Sequence, residues 1–269
     1  MADMKLGVFD SGLGGLLIAK AIEDNRPDID MVYLGDTLHV PYGKRSKDAI
    51  YDYSRHAIDY LFSEKDCQIV LTACNTVSAA ALRTLQQTYL PDAYPDRRIL
   101  GVVVPTLEEA ISSGYKNIGI IATEYIVESD IYAAELKKLD PSFTIHQQAT
   151  PLLVPLIENN GLKWVKPILE DYLEPLLAAQ VECLILGCTH YPHLMPVLRD
   201  ILGDQFPILS QVDIIPYKLN DYLQRHPVFD EKIGKNGTKE YLVTDITRGY
   251  KETALSIYNK EIEIQHVKP

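Results

Sequence analysis

Two cysteines in similar surroundings are the residues of this sequence best suited to proton transfer. Cys74 follows the apolar run Val70–Ala73, and Cys188 follows Leu184–Gly187 at 114 positions further along the chain. A thiol placed between a strand and a helix meets backbone amides, which lower its pKa from about 8.5 toward neutrality. Such thiols can both give and accept protons near neutral pH. Small polar residues follow each one: Asn75, Thr76, Thr189 and His190.

The surroundings of the two thiols belong to a longer internal repeat. Gly7–Ser11 resembles Gly119–Thr123, and Val40-Pro41 recurs as Val154-Pro155 at nearly the same offset as the cysteines. Landmarks in the same order at a nearly constant offset indicate a duplication. Two copies facing each other across a pseudo-two-fold axis would each deliver one thiol to a shared cleft, which suits a reaction needing two opposed acid/base groups.

Each thiol read alone has a simpler interpretation. A single free cysteine is most often a buried small hydrophobic residue, and only the pairing of Cys74 with Cys188 favours chemistry. Cys67 and Cys183 stand at the starts of predicted strands and are interpreted as structural. A zinc site including Cys188 and His190 is disfavoured, because the sequence has no Cys-x2-Cys pair and other ligands would be scattered. We therefore predict no metal.

Acidic and glycine-rich segments add further candidates. Asp10–Gly15 supplies exposed amides at a helix N-terminus, which could hold an anion, or it is a glycine turn in which Asp10 caps the helix. Its glycine spacing fits neither a dinucleotide fingerprint nor a P-loop. Asp36 is either a turn-forming residue or a catalytic one, and Tyr42 either lines the site or covers the core. His190 favours a proton-handling role, whereas Glu158 is equally well read as a solvated helix residue.

The elements that position these residues are strands alternating with helices throughout, which predicts a parallel α/β architecture. Ligand sites in such sheets lie just past the carboxyl ends of the strands. We predict two domains: residues 1–97 with 211–269, and residues 98–210. Leu90–Arg98 is the expected first crossing, the strand Ile99–Val104 is expected to open the second domain, and the last elements are expected to complete the first sheet.

Composition restricts the function classes. The 269 residues carry 26 Lys and Arg against 37 Asp and Glu, for a net charge of -11. Such a charge repels phosphate backbones, which argues against nucleic-acid binding. No apolar stretch reaches membrane-spanning length and the N-terminus lacks a secretory pattern, so a cytoplasmic protein is expected. The four cysteines are then expected to be free thiols.

Several motifs together resemble those of the glutamate racemases, a family of the cofactor-independent aspartate/glutamate racemase superfamily. The resemblance extends from residue 9 to residue 192, in the family's order and approximate spacing, and the last sixty or so residues carry little signature. The motifs are Phe9–Gly15, Val40–Gly43, Ala73–Thr76, Val154–Glu158 and Gly187–Pro192.

The resemblance implies two flavodoxin-like domains with the active site between them and no cofactor. Cys74 and Cys188 would be the acid/base groups on opposite faces of the α-carbon of glutamate, assisted by Asp10 and His190 respectively. The product D-glutamate would supply peptidoglycan, and such enzymes are commonly dimeric. Asp36 and Glu158 match further acidic positions in proton handling. The residues implied to hold the substrate are Ser11, Pro41, Tyr42, Gly43, Asn75, Thr76, Thr123 and Thr189.

Two departures from the family pattern leave alternatives open. Ile126 stands where the family usually has a second threonine after Thr123, and Gly101–Thr106 replaces a segment that commonly contains a glutamate. A lost polar contact weakens recognition by about 1 kcal/mol, so aspartate, or both acidic amino acids, is the alternative substrate. A hydrolase using only Cys188 with His190 is a second alternative, and a two-lobed binding protein without catalysis is a third.

Overall fold

The computed structural model describes residues 4–246, 248–258 and 261–269, so a few residues of the predicted first domain lie outside the described part. The chain forms two compact units. The first unit takes in the chain up to Val102 and again from Ile215, and the second is Val103–Ile214. The strands, numbered in chain order, are β1 (Lys5–Asp10), β2 (Met31–Gly35), β3 (Cys67–Thr72), β4 (Arg98–Gly101), β5 (Asn117–Ala122), β6 (Thr144–Ala149), β7 (Cys183–Gly187), β8 (Ile208–Leu209), β9 (Lys239–Val243) and β10 (Ile264–His266).

Helices connect these strands in both units. Three short 3-10 turns (Tyr42–Lys44, Leu162–Trp164 and Tyr191–Leu194) and one π turn (Leu85–Tyr89) lie between the α-helices. No helix in the described ranges combines the length and the apolar character needed to cross a membrane. The α-helices are α1 (Gly15–Asn25), α2 (Lys47–Ser63), α3 (Asn75–Ala80), α4 (Leu82–Thr84), α5 (Leu90–Ala93), α6 (Val103–Ser112), α7 (Glu124–Glu128), α8 (Ile131–Leu139), α9 (Leu153–Glu158), α10 (Val165–Ala178), α11 (Met195–Leu202), α12 (Gln211–Arg225), α13 (Pro227–Asp230) and α14 (Arg248–Tyr258).

Each unit contains one parallel sheet. The first has the order β10-β9-β2-β1-β3-β4, and the second has the order β6-β5-β7-β8. The four strands β2-β1-β3-β4 and the four strands of the second sheet follow the same 2-1-3-4 pattern, which is the flavodoxin-like order. The predicted α/β class with two parallel sheets is confirmed, and the repeated order agrees with a duplication. The C-terminal strand β9 pairs with β2, as expected.

The first crossing between the units differs from the prediction. The strand expected to open the second domain is β4, and it pairs with β3 from Ile69 opposite Arg98 to Thr72 opposite Gly101. The segment Leu90–Arg98 is therefore a helical turn and loop inside the first unit. Arg97 helps to explain this placement. It donates to the carbonyl of Cys67 at 2.6 Å and pairs with Asp66 at 2.8 Å.

Local signals explain where several elements begin. Ser46 caps α2 as predicted, with its Oγ accepting from Ala49 N at 3.3 Å. The strands β2, β3 and β7 are buried along their whole length, which accounts for their continuous apolar sequences. The helical region after the first thiol runs beyond the predicted end at Tyr89 to Ala93, with an interruption at Ala81.

Asp30, just before β2, ties the loop that precedes β9 to the first sheet. Its carboxylate accepts from Thr238 N at 2.8 Å, Thr238 Oγ1 at 2.7 Å and Asn236 Nδ2 at 2.9 Å. Burial opposes ionisation of Asp30, but these hydrogen bonds outweigh burial and lower its pKa below the ordinary value of 3.8. The ionised carboxylate therefore holds β9 in place beside β2.

Asp30→Ala is expected to lower the free energy of unfolding by about 2 kcal/mol at pH 7, because three donors lose their acceptor. Urea unfolding of both proteins measures the difference. Since the pKa of Asp30 is lowered in the fold, its contribution is present above pH 3.8 and disappears as pH falls through the folded value. A stability difference that stays constant down to the most acidic conditions would contradict this role.

Candidate active site

Three candidate residues of the first unit lie at one edge of its sheet. Asp10 ends β1, Asp36 directly follows β2, and Cys74 stands two residues after β3. The backbone holds these ends together, because Asp36 N donates to the carbonyl of Asp10 at 3.0 Å. This is the carboxyl edge of a parallel sheet, where the sequence predicted a site.

Asp10 organises the glycine turn that follows it. Its buried carboxylate accepts from Gly12 N at 2.9 Å and from Gly15 N at 3.1 Å. A Cβ atom at position 15 would stand 2.3 Å from Asp10 Cβ, so only glycine fits there without displacing the aspartate. The carboxylate thus fixes the backbone that carries Ser11.

Cys74 lies at the N-terminus of α3 with 6% of its surface exposed. Its Sγ is 3.3 Å from Ser11 Oγ, so the turn held by Asp10 supplies the thiol with a hydrogen-bonding partner. Asn75 and Thr76 form the first turn of α3 and are buried. The first half-site therefore joins a thiol, a hydroxyl and two small polar side chains.

Asp36 is buried and engaged by three side chains. Its carboxylate accepts from Tyr42 OH at 2.5 Å and from Thr244 Oγ1 at 2.7 Å, and it lies 2.8 Å from His39 Nδ1. Burial raises the pKa of Tyr42 well above its usual range, and the negative charges of Asp36, Cys74 and Asp10 add to this effect. Tyr42 therefore remains a neutral phenol that donates to Asp36.

The segment around Tyr42 is only partly accessible. Pro41 is exposed, Tyr42 is buried and Gly43 is partly buried. Because the Tyr42 hydroxyl donates to Asp36, the phenol attaches this segment to the end of β2. Of the two interpretations of Tyr42, burial of its ring agrees with a place in the core, and a contact with substrate stays a prediction.

The second unit places Cys188 immediately after β7, with 8% of its surface exposed. His190 lies between this thiol and a carboxylate: its Nδ1 is 3.6 Å from Cys188 Sγ, and its Nε2 is 3.0 Å from Glu158 Oε1. Burial alone would lower the pKa of His190, but its hydrogen bonds and charge interactions with Cys188 and Glu158 raise the pKa to about 10. The imidazole is thus protonated at neutral pH.

Glu158 was equally well read from sequence as a solvated helix residue. It ends α9, and its contact with His190 Nε2 gives it a defined partner in the half-site. A histidine held by a carboxylate keeps a fixed ring orientation, which directs its other nitrogen to the thiol.

Two threonines of the second unit also lie at the carboxyl edge of its sheet. Thr123 follows β5, and its buried Oγ1 has no hydrogen-bonding partner among the described residues. Thr189 is buried beside Cys188. Ile126, which replaces an expected threonine, lies fully buried in α7. The apolar side chain at 126 is therefore part of the core of this unit.

The two remaining cysteines stand apart from these half-sites. Cys67 and Cys183 begin β3 and β7 and are fully buried, and all four cysteines are free thiols. Burial raises the pKa of both, that of Cys183 to about 12. Full burial and a raised pKa agree with the structural interpretation of both thiols. In the described ranges, no group of three or more His, Cys, Asp or Glu side chains is placed to hold a metal ion.

The motifs missed several side chains that support the half-sites. Thr244 and His39 bind Asp36, and Thr150 Oγ1 lies 2.5 Å from the hydroxyl of Tyr191, a residue of the second thiol motif. Thr244 immediately follows β9, as Asp36 follows β2, and the two strands pair. Strand-end position was therefore the one sequence signal that pointed to Thr244.

Comparison with known proteins agrees with this arrangement. The profile of the Asp/Glu/Hydantoin racemase family matches residues 17–215. A glutamate racemase of Dinoroseobacter shibae is 33% identical over 99% of this chain and 100% of its own length. A glutamate racemase of Paracoccus denitrificans is 36% identical over 90% of this chain and 92% of its own.

A solved structure extends the similarity to the fold. The crystal structure of a glutamate racemase isoform from Bacillus anthracis superposes with a TM-score of 0.88 at 28% identity, covering 98% of this chain and 97% of that one. The family match includes most of both half-sites, and the relatives align along nearly the whole chain. The chain therefore belongs to the Asp/Glu/Hydantoin racemase family and is an amino-acid racemase.

Proposed function

We propose that this racemase interconverts L-glutamate and D-glutamate without a cofactor, using Cys74 and Cys188 as its two acid/base groups. The observation that carries the proposal is that each unit presents one thiol just past a buried strand, beside a side chain that can hydrogen-bond to it. One thiolate removes the α-proton while the other thiol delivers a proton to the opposite face. The roles exchange in the reverse direction.

On the side of Cys188, the protonated His190 is the partner of the sulfur. The Nδ1 of this imidazole lies within hydrogen-bonding reach of the Cys188 sulfur, and Glu158 keeps the imidazole charged and oriented. Cys188 is then ready to act as the base. When it acts as the acid, it donates its thiol proton, which exchanges with solvent between turnovers.

On the side of Cys74, the partner is the hydroxyl of Ser11. Asp10 acts through the turn, because its carboxylate binds the amides of Gly12 and Gly15 and so sets the position of Ser11. This indirect effect adds to the assistance of Cys74 by Asp10 that the family resemblance implies. The two thiols therefore have chemically different partners although they perform equivalent steps.

The amino and carboxylate groups of glutamate need polar contacts that hold them while charge develops at the α-carbon. The unpartnered Oγ1 of Thr123 supports its assignment as one contact, because a buried hydroxyl otherwise loses a hydrogen bond. The other proposed contacts are Ser11, Pro41, Tyr42, Gly43, Asn75, Thr76 and Thr189.

Glutamate is proposed over aspartate because the full-length relatives that match this chain are glutamate racemases. Supply of D-glutamate for peptidoglycan is part of the same proposal, with a cytoplasmic location and a homodimeric assembly. Cell fractionation and analytical ultracentrifugation test the last two.

L-Glutamate incubated with the protein in D₂O is expected to lose its circular dichroism signal and to gain deuterium at the α-carbon. L-Aspartate, shorter by one methylene, is expected to react about 10–200-fold more slowly. Mass spectrometry and circular dichroism of both substrates give the rates. An aspartate rate equal to or above the glutamate rate would reject the assigned substrate, and binding without deuterium uptake would favour the non-catalytic alternative.

A further inference from the structure

Two similar Thr–Asp pairs connect β9 to β2, one at each end of the paired strands. Before the strands, Thr238 Oγ1 donates to Asp30 Oδ1 at 2.7 Å. After them, Thr244 Oγ1 donates to Asp36 Oδ1 at 2.7 Å. The first pair lies at the amino edge of the sheet, and the second lies at the carboxyl edge, where the half-site is.

The second pair continues into the half-site, and the first does not. The other oxygen of Asp36, Oδ2, accepts the hydroxyl proton of Tyr42 at 2.5 Å, so a chain of hydrogen bonds runs from Thr244 through Asp36 to Tyr42. The turn Tyr42–Lys44 contacts α3, the helix that begins after Cys74. A shift of Tyr42 would therefore move the proposed substrate contacts Pro41–Gly43.

Thr244 is itself firmly placed. Its backbone N donates to the carbonyl of Gly35 at 3.1 Å, and its Oγ1 also accepts from Leu38 N at 2.9 Å. The next residue, Asp245, is also bound to the loop after β2. Its backbone N donates to Thr37 Oγ1 at 2.8 Å, and Thr37 Oγ1 donates to the carbonyl of Asp245 at 2.6 Å. The strand-end segment is thus a rigid support for the loop after β2.

Both oxygens of Asp36 accept hydrogen bonds, and His39 Nδ1 lies beside them, so the carboxylate is held in one position. We propose that Thr244 and Asp36 are positioning residues that fix Tyr42, and through it the segment Pro41–Gly43, for binding of the amino-acid substrate. This inference rests on the proposed function, because it assigns a role to residues that support the same site.

Thr244→Val removes the hydroxyl but keeps the shape of the side chain. We expect the KM for glutamate to rise about fivefold, with kcat changed by less than about twofold, because the lost support weakens binding of substrate and transition state alike. Thr244→Ser retains the hydroxyl and is expected to restore the wild-type KM. Thr238→Val is the matched control: it breaks the equivalent bond at the other end of β9 and should lower stability while leaving KM unchanged.

A double-mutant cycle separates positioning from a general loss of structure. If Thr244 acts through Tyr42, Thr244→Val is expected to add almost nothing to the KM increase of Tyr42→Phe. Additive effects, or an equal rise of KM in Thr238→Val, would overturn the inference. If Thr244→Val does not fold, Asp36→Asn takes its place in the cycle, with the same expected non-additivity.

A spectroscopic measurement tests the inference without using activity. In protein labelled with ¹³C at tyrosine Cζ, the Tyr42 signal is assigned by its loss in Tyr42→Phe. Thr244→Val is expected to shift this signal, whereas Thr238→Val is not. An unshifted Tyr42 signal would refute the positioning role even if glutamate is racemised, and wild-type protein that does not racemise glutamate would refute the proposed function alone.

Discussion

Replacing either Cys74 or Cys188 by serine is expected to lower kcat for glutamate racemisation by on the order of 10³-fold or more. General acid/base groups contribute about 10²–10⁴-fold, and each thiol must act in both directions of the reaction. A serine hydroxyl keeps the approximate shape but is far too weak an acid to form the required anion near neutral pH. Loss of one thiol therefore stops proton transfer on one face, and racemisation needs both faces.

Circular dichroism started from each enantiomer measures the loss in both directions. Cys67→Ala and Cys183→Ala are the controls, because these buried thiols begin the same strands that deliver Cys74 and Cys188. Both controls are expected to keep roughly the wild-type kcat. Substantial racemisation by Cys74→Ser together with complete loss in Cys188→Ser would contradict the two-thiol mechanism.

Removing the imidazole in His190→Asn is expected to lower kcat by on the order of 10²-fold, because the sulfur of Cys188 loses its hydrogen-bonding partner. Glu158→Gln is expected to have a smaller effect on kcat, about tenfold, with a shift of the pH profile. The charge of Glu158 helps to raise the pKa of His190 to about 10. Without that charge the pKa of His190 falls, so the imidazole loses its proton at lower pH.

The alkaline limb of the pH profile of kcat/KM, which reports groups of the free enzyme, is therefore expected near pH 10 in the wild type and at lower pH in Glu158→Gln. Racemisation rates measured at low substrate concentration from neutral pH to about pH 11 give this limb for each protein. Glu128→Gln is a matched control, because exposed Glu128 ends the helix α7 as Glu158 ends α9. An alkaline limb at the same pH in all three proteins would exclude the His190–Glu158 pair from this role.

Sequence reasoning reached the half-sites wherever the important contacts are local. Cys188 and His190 are two residues apart, and Ser11 directly follows Asp10 in the glycine-rich turn. The buried strands β3 and β7 were recognisable because both faces of a parallel sheet require apolar side chains. Where a strand end and the turn after it decide the position of a side chain, the local motif was enough to predict that position.

Reasoning from local pattern was less successful where distant segments decide. The strand β4 was assigned to the second domain, because its apolar sequence fits the edge of either sheet. Its place beside β3 depends on pairing with Ile69–Thr72 and on contacts of Arg97, which no pattern near Arg98 reveals. Thr244 was missed as a partner of Asp36 for the same reason, since it is more than two hundred residues away in the chain.

The sequence by itself thus determined the α/β class, the two thiols with their polar neighbours, and the free state of the cysteines, because these depend on residue type and short spacing. Only the tertiary structure decided what each ionisable group contacts. It placed Glu158 on His190, turned the carboxylate of Asp10 toward the amides of Gly12 and Gly15, and bound Asp36 to Thr244 and Tyr42. The physical reason is that hydrogen bonds and charge interactions depend on distance in space, which folding sets independently of separation along the chain.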